Sequence, residues 1–456
     1  LAAIAAAIIG AAGVAAPAGA ATDIFMSGSS AARQFVSQIA LPTCDTTQSV
    51  THYQSANNNL HLYKCTFAGN LINFHYSARG SSDGVYPVDD TTGGNTSKGS
   101  YNGKGFFGYI DSSNPSNSGC GATAATPVTF YDPAVSGPTT ITIQENKTCA
   151  NPPSAVTTDW PLETSPPGYI RRSSDFGASD VQFTSFGQSS PAGTEPANPA
   201  PNVHENPIMV LPFNIVVQKN VRKLDSIGNN LGPIENLTQE EIEKIFSRNV
   251  RDWRQLGYGV TTAVDGTGAL DATAAGNTIR LCQREFGSGS KAAFDQVLMK
   301  EEAAESITGS AAQIYSASSS GVRDCINNVS GVGLTGKIGY LDANETTASP
   351  SWASPAVGNV LTGGLPITIN GYKTVDAAAG TRALTFRFLR CGKAEFWTTL
   401  NIYDKIGGTG DAIKNSFITS FITTAQLKPV IENIPVNWAF EAPGNMLVSK
   451  NADRGP

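Results

Sequence analysis

An α/β fold is predicted by three observations. The chain has 456 residues, a length that suits two or three domains better than one. Strand-like apolar runs near Ile279 and Ile338 alternate with helical patterns near Lys291 to Ser306 and Gly321 to Asn328, and such alternation implies a mostly parallel sheet with helices on both faces. The composition is 40% hydrophobic and 15% charged, rich in Gly and Pro, which suits a folded protein with many turns and excludes a disordered acidic or basic tail.

Charge narrows the function classes. A formal net charge of -6 gives no basic footprint for nucleic acid. A local anion site remains compatible with it, because nearby donors set the field in a cleft. Residues 1–21 read as a secretory signal: they are apolar, and Ala16-Pro17-Ala18 and Ala18-Gly19-Ala20 fit small-x-small cleavage. The alternative is a retained membrane anchor, against which the Ala/Gly richness and Pro17 both speak. Seven cysteines fit an oxidising compartment. The expected pairs are Cys44–Cys65, Cys120–Cys149 and Cys282–Cys325, with Cys391 left over, although sequence alone does not fix connectivity. No CxxC pair or other zinc spacing occurs.

The elements follow in order. "DIFMSGSSAARQFVSQIA" reads as a strand from Asp23, a Ser/Gly turn, and a helix with Phe35, Val36 and Ile39 on one face. "LHLYKCTFAGNLINFHYSARGSSDG" alternates like strands and ends in another Ser/Gly turn. From about 85 to 172 the chain is full of Gly, Ser, Asn, Thr and Pro, with strand-like pieces such as "ATPVTFYD" and "TTITIQE". This stretch is expected to be a largely β insertion. "FGQSSPAGTEPANPAPNVHENP" is a loop, and "IMVLPFNIVVQKNV" is a strong strand signal. In "LTQEEIEKIFSRNVRDWRQLG", Thr238 and Glu241 form a capping-box pattern, and Ile242, Ile245 and Phe246 share a helix face. From about Leu384 the chain is expected to be helical with short breaks.

One segment, "REFGSGSK" (Arg284 to Lys291), joins three features that an anion needs. A helix start offers unpaired amides and a favourable dipole. Glycine lets a ligand approach the backbone, and Ser288 and Ser290 add hydroxyls. Arg284 supplies a planar fork for two oxygens. By itself this is also what a capped helix with a surface arginine looks like. Three more Ser/Gly turns accompany it, "SGSSAARQF", "ARGSSDG" and "SSDFGASD". Turns at strand ends focus donors on one small ligand in the crevice of a sheet, though Ser and Gly dominate ordinary turns too.

"FGASD" and R-x-x-G-S-G-S, with "GSS" upstream, resemble the phosphate-binding proteins of bacterial ABC phosphate transporters. "LTQEEIEKIFSRNVRDWRQLG", "GKIGYLD" and "GKAEFW" are similar to later segments of that family, in its order, so that the resemblance covers most of Asp23 to Trp397 apart from the insertion. It implies a two-lobed periplasmic-binding-protein (type II) fold with a hinge. The first lobe would span 22–206, with the insertion at about 85–172. The second would span 207–374, and 375–456 would return to the first lobe. It implies capture of inorganic phosphate for an ABC permease, outside the cytoplasmic membrane, by a monomer with no cofactor, no metal and no chemical step. Ser30 with the amides of Ala31 and Ala32, Ser81, Asp180, Arg284, and Ser288, Gly289 and Ser290 would then hold the anion. Asp180 would accept a hydrogen bond from the ligand's own proton and so select a protonated oxyanion over fully ionised sulfate. The sequence departs from the family pattern at three points. Phe286 stands where an acid usually holds the arginine, Ala31 stands where threonine is common, and a long stretch separates Gly84 from Asp175.

Two other motifs compete. "GVGLTGK" (Gly331 to Lys337) has P-loop spacing, but Ile338 follows instead of Ser or Thr, so the magnesium ligand is missing. "GSSDG" fits G-x-S-x-G, with Ser82 as nucleophile and Asp175 or Asp180 and His204 as partners. That hydrolase needs a helix after the serine, which Val85-Tyr86-Pro87 opposes. A third class is a secreted or surface structural or adhesive protein on the same fold. His52, His61, His75 and His204 lack metal-ligand spacing and read as surface or strand residues. Trp253, Trp352, Trp397 and Trp438 read as core, with a sugar-stacking platform as the alternative.

Overall fold

A computed structural model describes residues 20–45, 47–89, 107–121, 125–143, 145–150, 167–188, 202–285, 287–300, 313–316, 318–328, 336–346, 361–376, 379, 381–434 and 440–450. All but the last two residues of the expected signal lie outside these, as do Trp352, Trp438, Phe286 and most of the P-loop-like motif.

The chain folds as two α/β lobes. One sheet runs through both lobes. In spatial order its strands are Gln313–Ser316, Arg280–Arg284, Lys337–Asp342, Val203–Gln218, Trp397–Lys405, Phe176–Ser179, Thr22–Ser29, Asn70–Arg79, Leu60–Phe67, Thr51–Ser55 and Glu145–Cys149, and Gly364–Pro366 also pairs with Val203–Gln218. Strand Val203–Gln218 is the crossing element. Its first half, to Pro212, pairs with Trp397–Lys405, and its second half pairs with Lys337–Asp342. Ile208 to Gln218 are all buried, which explains the nearly continuous apolar run, interrupted at Asn214: a strand covered on both faces has no polar side to alternate with. Register shifts between Pro207 and Met209, where a proline cannot donate to the ladder.

The sheet is mixed rather than mostly parallel. Thr22–Ser29 is parallel to both neighbours, as is Arg280–Arg284. Elsewhere a two-residue turn at Ala68-Gly69, with φ of 48° and 80°, folds Leu60–Phe67 back on Asn70–Arg79 as an antiparallel hairpin. The crossing strand is antiparallel to its partners as well. The C-terminal part also differs from the helical expectation. Helices Arg382–Thr385, Arg387–Arg390, Ala412–Ala425 and Lys428–Asn433 are present, but Trp397–Lys405 is a nine-residue strand. Its threonines, isoleucine and aromatics favour a pleated, half-buried surface, and two partner strands claim it.

The capping box at Thr238 and Glu241 is formed, and Ile242, Ile245 and Phe246 are buried. Helix Ala412–Ala425 covers the first-lobe sheet, with Phe421 packed 5.5 Å from Phe74 and 5.4 Å from Phe176 between ring centroids. In the second lobe Phe294 stacks on Tyr340 at 4.4 Å and meets Phe246 at 4.4 Å. The described part of the insertion is strand-rich. Hairpin Thr126–Asp132 with Gly137–Ile143 sends Val128, Phe130 and Ile143 into the main core, and Glu145–Cys149 adds to the sheet edge. Disulfides link Cys44–Cys65, Cys120–Cys149 and Cys282–Cys325, while Cys391 is exposed and free. Trp253 and Trp397 are buried. No helix among the described residues is long and apolar enough to cross a membrane.

Candidate functional site

The parallel strands of each lobe end at the lobe boundary, and their following turns meet there. In the first lobe the meeting is backbone on backbone. Gly28, at φ 132°, and Gly84 both press on the Ala178 carbonyl; a Cβ on either would lie 2.0 Å from that oxygen. No other residue fits at such a distance. This packing brings together the ends of "SGS", "GSSDG" and "FGASD", and with them Ser29, Ser81 and Asp180. Ser27 Oγ ties the second turn by donating to Asp83 O at 2.6 Å. Thr398 donates to the Asp180 carbonyl, so strand Trp397–Lys405 pins the acid's turn.

The second lobe is seated directly on this cluster. Ser82 N–H donates to Gly287 O at 3.2 Å across the boundary. A Cβ on Gly289 would lie 2.3 Å from Ser81 Oγ and 2.6 Å from Asp180 Cβ. Gly289 opens the helix Gly289–Val297, so the start of that helix faces both first-lobe residues. Asn344 Nδ2 donates to Ala31 O at 3.5 Å. Arg33, the first residue of helix Arg33–Thr43, pairs with Glu345 of the second lobe, and Arg323 pairs with the other oxygen of the same carboxylate.

All nine expected anion ligands are buried. Ser81, Asp180 and Gly289 touch. Ala31 and Ala32 direct their amides at Ser29 Oγ, at 3.0 and 3.2 Å, and Ser29 donates to Asp180. The hydroxyl engaged in that turn is therefore that of Ser29, and Ser30 sits buried beside it. Ser288 Oγ caps its helix by accepting from Lys291 N at 3.4 Å. Ser290 gives its single hydroxyl proton to Asp342 Oδ1 at 2.6 Å. Arg284 donates from Nη1 to Ser319 Oγ at 2.8 Å and from Nε to Ser316 O at 3.3 Å, and Ser319 donates to Asp342 Oδ2 at 2.7 Å. Burial pushes the Asp342 carboxyl above its ordinary value, against the opposing pull of Ser290, the Arg284 charge and Ser319.

Ser29, Ser319, Asp342, Arg33 and Glu345 escaped the sequence reading. A signal existed for two of them: "SSSGVRD" is a fifth Ser/Gly turn after a strand, and "GKIGYLD" ends in an acid at a strand's carboxyl end. Arg33 and Glu345 are distant in sequence, and nothing local links them.

The hydrolase constellation is not assembled. Ser82 lies in the turn Ser81–Gly84 after its strand, with its amide on Gly287 O. His204 is exposed and pairs with Asp404, which sits opposite Phe176 at the other end of the strand leading to Asp180. Asp175 binds Lys414 and the Phe25 amide. Short helical turns do follow Ser82, at Ser81–Gly84 and Tyr86–Asp89, contrary to expectation. Pro87 falls in a first turn, where its missing N–H costs nothing. Lys337, last of the P-loop-like motif, is buried and holds Cys325 O at 2.9 Å and Asn328 Oδ1 at 2.7 Å, a cation at the end of helix Ser319–Asn327. Among the described residues no group of three or more His, Cys, Asp or Glu could hold a metal ion.

Residues 98–428 match the family model described as "PBP superfamily domain". Solved structures similar to this chain include an ABC-type phosphate transport receptor from Vibrio cholerae, with 14% identity over 59% of this chain and 80% of that one, and a TM-score of 0.32. PstS from Borrelia burgdorferi shares 14% identity over 59% and 79%, with a TM-score of 0.29. A possible phosphate binding protein from Planctomyces limnophilus shares 13% over 59% and 76%, with a TM-score of 0.31. No curated protein matches the chain.

Proposed function

This chain belongs to the PBP superfamily, and from there we propose that it captures inorganic phosphate, or a related tetrahedral oxyanion, between its lobes. It delivers the anion to an ABC permease outside the cytoplasmic membrane and performs no chemical step. One observation carries this reading: turns far apart in the chain, bearing Ser81, Asp180 and the glycine start of helix Gly289–Val297, meet at one buried point between the lobes. Amides at a helix start favour an anion, and Arg284 is linked to the same helix start by way of Ser319, Asp342 and Ser290. Asp180 narrows the choice to an anion that still carries a proton. Because Gly289 rests on Ser81, entry requires the lobes to part and reclose around the ligand.

Titration calorimetry with phosphate, sulfate and arsenate tests the reading. Phosphate and arsenate are expected to bind, sulfate far more weakly, and Arg284→Ala is expected to lose most of the phosphate affinity. No phosphate heat, or sulfate binding equal to it, overturns the proposal. A structural or adhesive role is favoured by a different observation: Ser29 already satisfies the Ala31 and Ala32 amides and binds Asp180. A chain that binds none of the three anions supports that second role.

A further inference from the structure

Arg284 is 2% exposed, and a guanidinium so placed needs a counter-charge as well as hydrogen bonds. Its sequence neighbour Glu285 is exposed. A buried carboxylate linked to it is that of Asp342, which is 0% exposed and stands at the end of the adjacent strand Lys337–Asp342. The connection runs through one hydroxyl. Ser319 accepts from Arg284 Nη1 at 2.8 Å and donates to Asp342 Oδ2 at 2.7 Å. A serine hydroxyl has one proton, so with that proton on Asp342 its lone pair is what faces the guanidinium. The other carboxylate oxygen accepts from Ser290 at 2.6 Å, in the first turn of the helix seated on Ser81 and Asp180.

We propose that Asp342, acting through Ser319, is the positioning residue that orients Arg284 toward the anion. The inference rests on the phosphate reading above and deepens it. Ser319 opens helix Ser319–Asn327, and Ser290 lies in the first turn of Gly289–Val297. One carboxylate thus joins the starts of two helices, where a negative charge is favoured, and locks their orientation to the arginine. The guanidinium is held by a relay of hydrogen bonds with defined direction, Arg284 to Ser319 to Asp342. Each residue has a local sign in the sequence, but their linkage has none, because the three come from three separate strand ends.

The test is a cycle of phosphate affinities on the full chain, with thermal unfolding as a control for each variant. Ser319→Ala cuts the relay and leaves both charges in place; its phosphate Kd is expected to rise at least about tenfold, the scale of a hydrogen bond to a charged group. Ser319→Thr keeps the hydroxyl and is expected to restore affinity close to that of the unsubstituted chain. Asp342→Asn is expected to weaken binding to the same degree, and the double variant Ser319→Ala with Asp342→Asn no further than either alone, since both act on one relay. Should Asp342→Asn fail to fold, the Ser319 Ala and Thr variants decide alone. Unchanged affinity in Ser319→Ala, or losses that sum in the double variant, overturns the proposal and leaves the phosphate reading standing. An unsubstituted chain that gives no phosphate heat overturns both.

Discussion

A carboxylate beside an anion is costly unless one of the two carries a proton. Asp180 is 2% exposed, sits against Ser81 and Gly289, and accepts from Ser29. With phosphate as the ligand, Asp180 can accept a hydrogen bond from the proton that monohydrogen phosphate keeps at neutral pH; sulfate has no such donor. Asp180→Asn keeps the shape, removes the repulsion and supplies an amide donor. The expected outcome is a change of selectivity: sulfate affinity rises, and the phosphate-to-sulfate ratio falls at least about tenfold, the gain from ending a buried charge repulsion. Competition calorimetry of the two anions measures it. An unchanged ratio would mean that selection resides elsewhere. The same residue shows what sequence can and cannot deliver. "FGASD" pointed to Asp180, yet the hydroxyl it engages is that of Ser29, because the choice between adjacent serines depends on turn geometry that composition does not encode.

The hairpin of Leu60–Phe67 and Asn70–Arg79, with Thr51–Ser55 beside it, carries three buried histidines. His61 Nε2 must donate to Asn58 O, at 3.2 Å, because a carbonyl can only accept. Its Nδ1 therefore accepts from His52 Nε2, at 3.1 Å, while the ring is neutral. Protonation would set two N–H groups face to face. Burial, with the charge of Arg33 adding to it, lowers the His61 pKa from 6.5 to about 4. The unfolded chain takes up a proton as pH falls through 6.5, and the folded chain does so only near 4. This contribution to stability is thus complete above pH 6.5 and is lost as pH falls toward 4, up to about 3 kcal/mol in all. Urea midpoints followed from pH 7.5 to 4.5 are expected to fall less in His61→Gln than in the unsubstituted chain; parallel slopes would refute the assignment. Legibility among the elements follows a similar physical line. Helices with caps and one apolar face, such as Gln239–Phe246, were visible, since 3.6-residue periodicity is local. Strand Trp397–Lys405 was not, because its pairing with Val203–Pro212 and Phe176–Ser179 is supplied by distant chain. Nor did Ala68-Gly69 announce its hairpin, lacking the Asn or Asp that usually marks a two-residue turn.

The lobes themselves are joined by a buried charge cluster. Glu345 of the second lobe offers one oxygen to Arg33 of the first lobe and the other to Arg323 of its own, with side-chain exposures of 7%, 8% and 5%. Arg33 also donates to Asn59 Oδ1 at 3.1 Å. Parting the lobes separates Arg33 from Glu345 and rehydrates both, whereas the pair of Arg323 with Glu345 can persist. The cluster therefore acts on the balance between open and closed forms more than on the fold of either lobe. Removing one partner of a buried pair is far costlier than never having built it. Glu345→Gln would leave two buried arginines facing each other in the closed form alone. We expect this variant to favour the open form. Small-angle X-ray scattering without ligand should show a larger radius of gyration, and phosphate Kd should rise by at least about tenfold, because binding must then also close the lobes. High salt should widen the unsubstituted chain little, since a buried pair is poorly screened. If Glu345→Gln scatters like the unsubstituted chain and binds phosphate as tightly, the ion pair is a passenger of closure and the lobes are held by the contact of Gly289 with Ser81 and Asp180.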